Sequence, residues 1–201
     1  MILDTNVSIV PFWWIPYTPA TAQEARQLPV LLVLASGRGE RFTASGGSTH
    51  KLQADLGGKA VLERTLDAVR ASGLRWHLED VGHPGMGDSI AAAVRATRSA
   101  PGWMVLPADL PLVQPHTLLQ FARAPMRGTV LLPTVEGQRG HPVRFAPACG
   151  NSLENLEGNQ GAAPVVRAQA AIEMIVDDVG CVMDIDTVDD LQRARAWLQG
   201  R

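Results

Sequence analysis

A chain of 201 residues with 46% hydrophobic and 19% charged side chains can bury one substantial core and is too apolar to be a disordered segment. A net charge of −2 argues against a broad nucleic-acid-binding face, so any positive charge used in binding must be local. The two cysteines, Cys149 and Cys181, form no CxxC pair and no zinc spacing with the five scattered histidines, which fits a reducing, cytoplasmic setting.

Residues 1–29 stand apart. Phe12-Trp13-Trp14 and Tyr17 lie among Pro11, Pro16 and Pro19. No Lys or Arg precedes Arg26, so a secretory n-region is missing, and the apolar run is too short and too proline-broken to span a bilayer. The segment reads as an irregular N-terminal arm, packed on the body or on a second subunit, or as the product of an upstream start codon. Residues 30–201 read as a single domain.

That domain opens with Val30 to Leu34, a continuous apolar run typical of a strand buried on both faces. Small residues, two glycines and two arginines follow, in Ala35-Ser36-Gly37-Arg38-Gly39-Glu40-Arg41, and then Lys51. Glycines allow turns that aim successive N–H groups at an anion, and Arg38, Arg41 and Lys51 add positive charge. The stretch is a phosphate cradle or an ordinary strand-to-helix loop. It is not the dinucleotide fingerprint, because Phe42 stands at the third glycine position, nor a P-loop, because no Gly-Lys-Ser/Thr triplet occurs.

Val61 to Ser72 predicts an amphipathic helix ended by Gly73, with Leu62, Leu66 and Val69 on one face. A short strand is expected within Leu74–Val81. Gly82 to Gly87 reads as a turn-rich loop, and Asp88 or Ser89 as the cap of a helix from about Ile90 to Ser99. Trp103 to Leu106 is the next buried strand, running into Pro107-Ala-Asp109-Leu-Pro111. Pro115 fits the first residue of a helix. Thr129–Leu132 and Val143–Phe145 read as strands on either side of Gly137-Gln-Arg-Gly-His141-Pro. Two short helices flank Gly158 to Gly161. Ile172, Met174 and Val176 alternate as in a half-buried strand, and Thr187 with Asp190 forms a near capping box for the last helix. Alternating strands and helices imply βαβ units, a mostly parallel sheet with helices on both faces, and a ligand site at the carboxyl ends of the strands.

Asp109, just past a buried strand and fixed between two prolines, suits a hard cation such as Mg²⁺, or is a plain turn aspartate. Asp184 and Asp186, two apart on an extended segment, point the same way, offering a second metal contact or a solvated acidic turn.

Several motifs then occur in a telling order. Leu34-Ala-Ser-Gly-Arg-Gly-Glu-Arg41, Lys51-Leu and Val61-Leu-Glu-Arg-Thr-Leu66 are followed by Gly85-Met-Gly-Asp-Ser-Ile and Pro107-Ala-Asp-Leu-Pro-Leu-Val. Arg139-Gly-His-Pro-Val and Asp184-Ile-Asp-Thr-Val-Asp-Asp-Leu191 complete the series. From Pro29 to Leu198 the chain resembles the molybdenum cofactor cytidylyltransferases and their MobA-like relatives. The resemblance implies a three-layer α/β/α Rossmann-like nucleotidyltransferase fold. It implies CMP transfer from CTP to the phosphate of molybdopterin-bound molybdenum, with Mg²⁺ as cofactor and pyrophosphate as leaving group. A molybdoenzyme receiving the product is a further partner it allows; nucleic acid and membrane are not among them.

By that resemblance Leu34 to Gly39 would hold the nucleotide, with the Ala35–Gly39 backbone on the triphosphate, and Gly85, Gly87 and Ser89 would lie near the base. Arg41 and Lys51 would neutralise the phosphates in catalysis, Asp109 with Asp186 would hold the metal, and Arg139 and His141 would form the acceptor side. The chain departs from the family pattern in four places. Gly73 to Gly85 is shorter by about one strand–helix unit. Gly158 to Ala163 lacks an acidic and a basic residue. Thr43–Thr49 is longer and richer in glycine and serine. Ala108 replaces the glycine before the aspartate. Guanylyl transfer usually goes with Ala-Gly-Gly where this chain has Ala35-Ser36-Gly37. The alternatives to the cytidylyl reading are a guanylyl or other small-molecule nucleotidyltransferase and an inactive cofactor-binding chaperone.

Overall fold

The sheet is organised on β1 (Val30–Leu34), every residue of which is buried. Residues 17–200 are described by the computed structural model. Alternate residues of β1 feed two separate cores. Leu31 and Val33 pack with Met104, Leu106 and the helices of one layer; Val30, Leu32 and Leu34 pack with Val105, Phe145 and those of the other. A strand between two layers must be apolar at every position, which is why its sequence runs rather than alternates.

β1 pairs in parallel with β2 (Trp76–Glu79) and with β3 (Trp103–Pro107). Beyond β3 the pairing reverses. β6 (Val143–Phe145) lies antiparallel to both β3 and β4 (Val130–Val135), and β5 (Gln138–Arg139) is antiparallel to β4. β7 (Ile172–Ile175) pairs with β4 in parallel. The order is β2-β1-β3-β6-β4-β5, with β7 joined at β4. The α/β expectation stands, on a mixed sheet: β6 returns directly from the β4–β5 hairpin, and so short a connection can only place strands antiparallel. The short stretch after Gly73 leaves β2 at the sheet edge.

One layer holds α3 (Val61–Ser72), α5 (Pro115–Arg123) and α8 (Val188–Gln199). The other holds α4 (Met86–Ala96), α6 (Gly150–Glu154) and α7 (Ala163–Ala168). Fully buried residues such as Leu118 and Phe121 on α5 contribute about 1.5–3 kcal/mol each relative to exposure. The sequence-read limits of α3 hold at both ends, with Gly73 in the left-handed conformation at its stop. Pro115 opens α5, and Thr187 and Asp190 form a full capping box on α8.

Three expectations change. α4 begins at Met86, capped by Gly85, not at Ile90. Asp88 does not cap it but reaches across to the Gly158 N–H at 2.9 Å, and Ser89 is turned inward. Glu40–Ala44 forms a short helix, α2, where a loop was read. The aromatic cluster at Phe12–Trp14 lies outside the described residues. In the rest of the arm Thr21 caps one helical turn, α1 (Ala22–Ala25), instead of irregular chain throughout. Tyr17 donates to the Ala71 carbonyl, and Glu24 meets Arg123 in a bidentate pair at 2.7 and 3.0 Å. Among the described residues no helix is long and apolar enough to cross a membrane.

Candidate active site

β1 and β3 run side by side in the same direction, so their carboxyl ends deliver the glycine loop and the Asp109 turn to one edge. A cleft of about 440 Å³ opens there. Leu34, Ser36, Gly37, Arg38, Gly39, Arg41, Lys51, Gly85, Asp109 and Asp186 all line it, so most of the residues singled out from the sequence share one cavity.

Asp109 is held by its backbone on both sides. Buried Thr65 of α3 donates to the Ala108 carbonyl at 2.8 Å, and the Ile185 N–H donates to the Asp109 carbonyl at 3.0 Å. The second bond brings the Met183–Asp186 segment to the cleft. Lys51 Nζ then bridges Asp109 Oδ2 at 2.6 Å and Asp186 Oδ1 at 2.8 Å, and Arg41 meets the other oxygen of Asp186 at 2.7 Å. Burial alone would lower the Lys51 pKa, but Asp109 and Asp186 outweigh it and hold the ammonium above its ordinary value. Asp109 Oδ1 is buried and finds no hydrogen-bond partner.

The two acidic residues of the Met183–Asp186 segment do not act as a pair facing one way. Asp186 lines the nucleotide-sized cleft, while Asp184 lines a second cavity of about 1320 Å³ with Val135, Met174 and Arg193. Buried Ile185 separates them. Burial, together with the charges of Asp109 and Asp186, raises the Asp184 pKa.

The β2–α4 loop also lines the cleft, through His83, Pro84 and Gly85. Ala35 donates its N–H to the Glu79 carbonyl at 2.8 Å, continuing the sheet, so the donors that the glycine loop can offer an anion start after Ala35. Ser36 Oγ lies 2.5 Å from Ser89 Oγ, which in turn donates to the Gly85 carbonyl at 3.1 Å. Gly85 and Gly87 sit where the chain packs closely. A Cβ on Gly85 would stand 2.3 Å from the Gly158 backbone, and one on Gly87 2.7 Å from the Glu157 carbonyl. Only Gly85 of the two lines the cleft, and buried Ser89 does not.

The two residues expected on the acceptor side separate. Arg139 points away from the cleft and pairs with Glu173 of β7 at 2.6 and 2.8 Å, both side chains exposed, because β5 and β7 flank β4 at the sheet's far end. His141 stays close to Asp109. Its N–H donates to the Cys181 carbonyl at 2.8 Å, and Gly140 lets the loop approach, since a Cβ there would lie 2.3 Å from the same carbonyl. Burial lowers the His141 pKa against the opposing effects of Asp109 and the Val105 carbonyl. Its Nδ1 is buried without a partner.

His83 lines the cleft without having been singled out in the sequence, Asn159 lines it from the stretch that departs from the family pattern, and His50 holds the glycine loop from outside the lining. His50 Nδ1 accepts the Leu52 N–H at 3.3 Å, so Nε2 carries the proton and donates to the Gly37 carbonyl at 2.8 Å, fixing the glycine loop. His83 and His77 both bond the buried Glu79 carboxylate, at 3.0 and 3.3 Å. Burial alone would raise Glu79, but the two histidines outweigh it and hold its pKa below the usual value. Asn159 reaches the cleft because Asp88 holds the loop before it. Histidine at a loop carries no spacing signal, and the Asn159 contact joins segments far apart in sequence.

The donor set suits a hard cation. Asp109 has a buried oxygen without a partner, and Asp186 stands beside it on the shared lysine. Among the described residues no group of three His, Cys, Asp or Glu side chains is set to hold an ion by itself. A metal here would therefore complete its shell with water and phosphate oxygens.

Solved structures share the fold. Rv0371c of Mycobacterium tuberculosis, solved in complex with manganese, is 24% identical over 84% of this chain and 98% of its own, with a TM-score of 0.67. A Methanothermobacter nucleotidyl transferase, Mth528, is 20% identical over 87% and 99%, at a TM-score of 0.68. Molybdopterin-guanine dinucleotide biosynthesis protein A from Archaeoglobus fulgidus is 20% identical over 85% and 99%, at 0.62. These likenesses establish the fold. No curated protein sequence matches the chain. The family match is more direct: residues 68–173, from within α3 to β7 and including Asp109 and His141, fit the MobA-like NTP transferase domain. That segment is more than half of the chain, and with it the protein belongs to the MobA-like NTP transferase family, a family of nucleotidyltransferases.

Proposed function

We propose that the protein transfers CMP from CTP to the terminal phosphate of molybdenum cofactor, releasing pyrophosphate. The observation that carries this reading is the Lys51 ammonium shared by Asp109 and Asp186 at the end of the glycine loop, with one Asp109 oxygen left unpartnered. An acceptor phosphate oxygen bonds to the α-phosphorus of CTP, and the bond from that phosphorus to the bridging oxygen of the β-phosphate breaks. The nucleophile is already anionic, so the site needs no strong general base. Catalysis is positioning and charge neutralisation.

Arg38, Arg41 and Lys51, which line the cleft, supply that charge. Arg41 is exposed enough to swing from Asp186 to a phosphate, and Lys51 is placed to follow the leaving group. Asp109 and Asp186 would hold Mg²⁺, which when bound supplies positive charge against the phosphate oxygens. His141, close to Asp109, would take the acceptor side, and Arg139 would join it only by leaving its exposed pair with Glu173. The two free buried cysteines agree with a cytoplasmic setting.

Guanylyl transfer is the second reading, favoured by the guanine in the name of the Archaeoglobus neighbour. Against it stands Ser36, whose side chain occupies cleft space beside the β2–α4 loop that a purine would need. Pyrophosphate release from each NTP in turn, with and without molybdenum cofactor, tests the proposal. Cofactor-dependent release with a CTP preference of about tenfold or more is expected. Equal or reversed kcat/KM for GTP would overturn the cytidylyl assignment, and no release with any NTP would favour an inactive binder.

A further inference from the structure

The second cavity, of about 1320 Å³, takes no part in the chemistry described above. Much of its lining is apolar: Val135 from β4, Met174 and Ile175 from β7, and Val176, Val182 and Met183 from the chain that follows. Among the described residues β7 pairs with β4 alone, so its outer side is a free edge. Ile175, on that edge strand, is 88% exposed, which marks an apolar surface in need of cover.

α5 contributes His116, Thr117 and Gln120 to the same cavity. Tyr17 packs edge-on against His116, with ring centroids 6.4 Å apart, and is tied to α3 by its hydrogen bond to the Ala71 carbonyl. The chain therefore enters the described structure in contact with the cavity wall. Residues 1–16 precede that point, with one charged side chain, Asp4, and the run Phe12-Trp13-Trp14. The run lies three to five positions before Tyr17, a reach of about 10–18 Å in extended chain.

We infer that this cavity is the docking site of the chain's own N-terminal segment, with Trp13 and Trp14 seated against Met174, Ile175 and Met183. Methionine adapts its shape to flat rings, and its sulfur is attractive to their edges. A buried indole needs an acceptor for its N–H, and the carboxylates of Asp177 and Asp184 line the same cavity. The segment brings no lysine or arginine, so the fit is apolar contact with indole hydrogen bonds and not ion pairing. Tyr17 holds the segment beside the cavity, which gives it a high effective concentration there and favours it over a second copy.

Hydrogen exchange and acrylamide quenching of the full chain test this in the wild type, in Trp13→Ser/Trp14→Ser and in Ile175→Asp, with molar mass measured by light scattering. In the tryptophan variant the Ile172–Val176 amides should exchange about tenfold or more faster, the factor implied by losing one large buried side chain. The β1 amides should exchange as in wild type, which separates lost docking from general damage. Ile175→Asp leaves both indoles in the sequence but puts a charge in their seat, so tryptophan emission should become more open to acrylamide. The molar mass should be the same for all three. Unchanged exchange in the tryptophan variant, or unchanged quenching in Ile175→Asp, would overturn the inference. A fall in mass along with the lost protection would overturn it too, by seating the segment on a second copy. So would Ile172–Val176 protection that depends on added molybdenum cofactor and not on the two tryptophans, which would give the cavity to a small molecule.

Discussion

Replacing Lys51 by Met keeps the aliphatic stem and removes the ammonium that sits 2.6 Å from Asp109 and 2.8 Å from Asp186. The three side chains are only 12%, 15% and 18% exposed, so solvent compensates poorly. Two hydrogen bonds between charged groups are worth about 1.5–3 kcal/mol each. Arg41 still covers Asp186, and Met restores most of the packing, so a net loss of about 2–4 kcal/mol is expected, near the cost of breaking a buried pair. With an m-value of about 2 kcal/mol/M, the urea midpoint at pH 7 should fall by about 1–2 M. The sign with pH follows from the raised folded-state pKa of Lys51. Its stabilisation is fully present below the ordinary lysine pKa and is lost as pH rises through the folded value. The gap between the two proteins should thus be flat from pH 7 to 9 and close only above about 10.4. Titration with Mg²⁺ alone adds a second readout: the variant should bind it more tightly, since no resident ammonium competes, while binding Mg²⁺-CTP more weakly. A midpoint unchanged from wild type would refute the view that Lys51 is the counter-ion of the acidic pair.

Asp109→Asn should fold normally and lose at least about a hundredfold in kcat, the scale of removing one electrostatic contact to a transition state; circular dichroism and pyrophosphate release check both halves. Asp184→Asn should stabilise the protein at pH 7, because the raised pKa of Asp184 marks a charged form disfavoured by folding. That gain should vanish as pH falls below the ordinary aspartate value, where wild-type Asp184 is neutral in both states. Urea midpoints across pH 3 to 8 measure it. Gly85→Ala places a methyl 2.3 Å from the Gly158 backbone and should cost about 1–3 kcal/mol in thermal or urea unfolding while weakening CTP.

What the sequence made legible was whatever depends on neighbours along the chain. The buried run Val30–Leu34, the limits of α3, Pro115 at the start of α5 and the Thr187–Asp190 capping box are local patterns, and each lies where it was read. The sheet direction beyond β3 was not legible, since Val143–Phe145 reads the same in either orientation. Ser89 misled for a physical reason: a serine near a helix start usually caps it. Here it is spent on the Gly85 carbonyl and on Ser36, and Gly85 takes the cap because Gly158 leaves no room for a side chain. The charged centre could be assembled from Arg41, Lys51, Asp109 and Asp186 as residue types. That Lys51 bridges the two aspartates, that Asp184 faces another cavity and that Arg139 is held by Glu173 are long-range contacts without a local signature.

The central claim is that the α-phosphoryl group of CTP, with its nucleoside, ends on a phosphate acceptor through the Asp109–Lys51 centre. Incubation of the protein with Mg²⁺, molybdenum cofactor and CTP labelled at either the α- or the γ-phosphorus tests it directly. Label from the α position should appear in the cofactor dinucleotide and label from the γ position in pyrophosphate, with both transfers lost in Asp109→Asn. Release of γ-label as inorganic phosphate with none of the α-label on the cofactor, or full transfer by Asp109→Asn, would contradict the account.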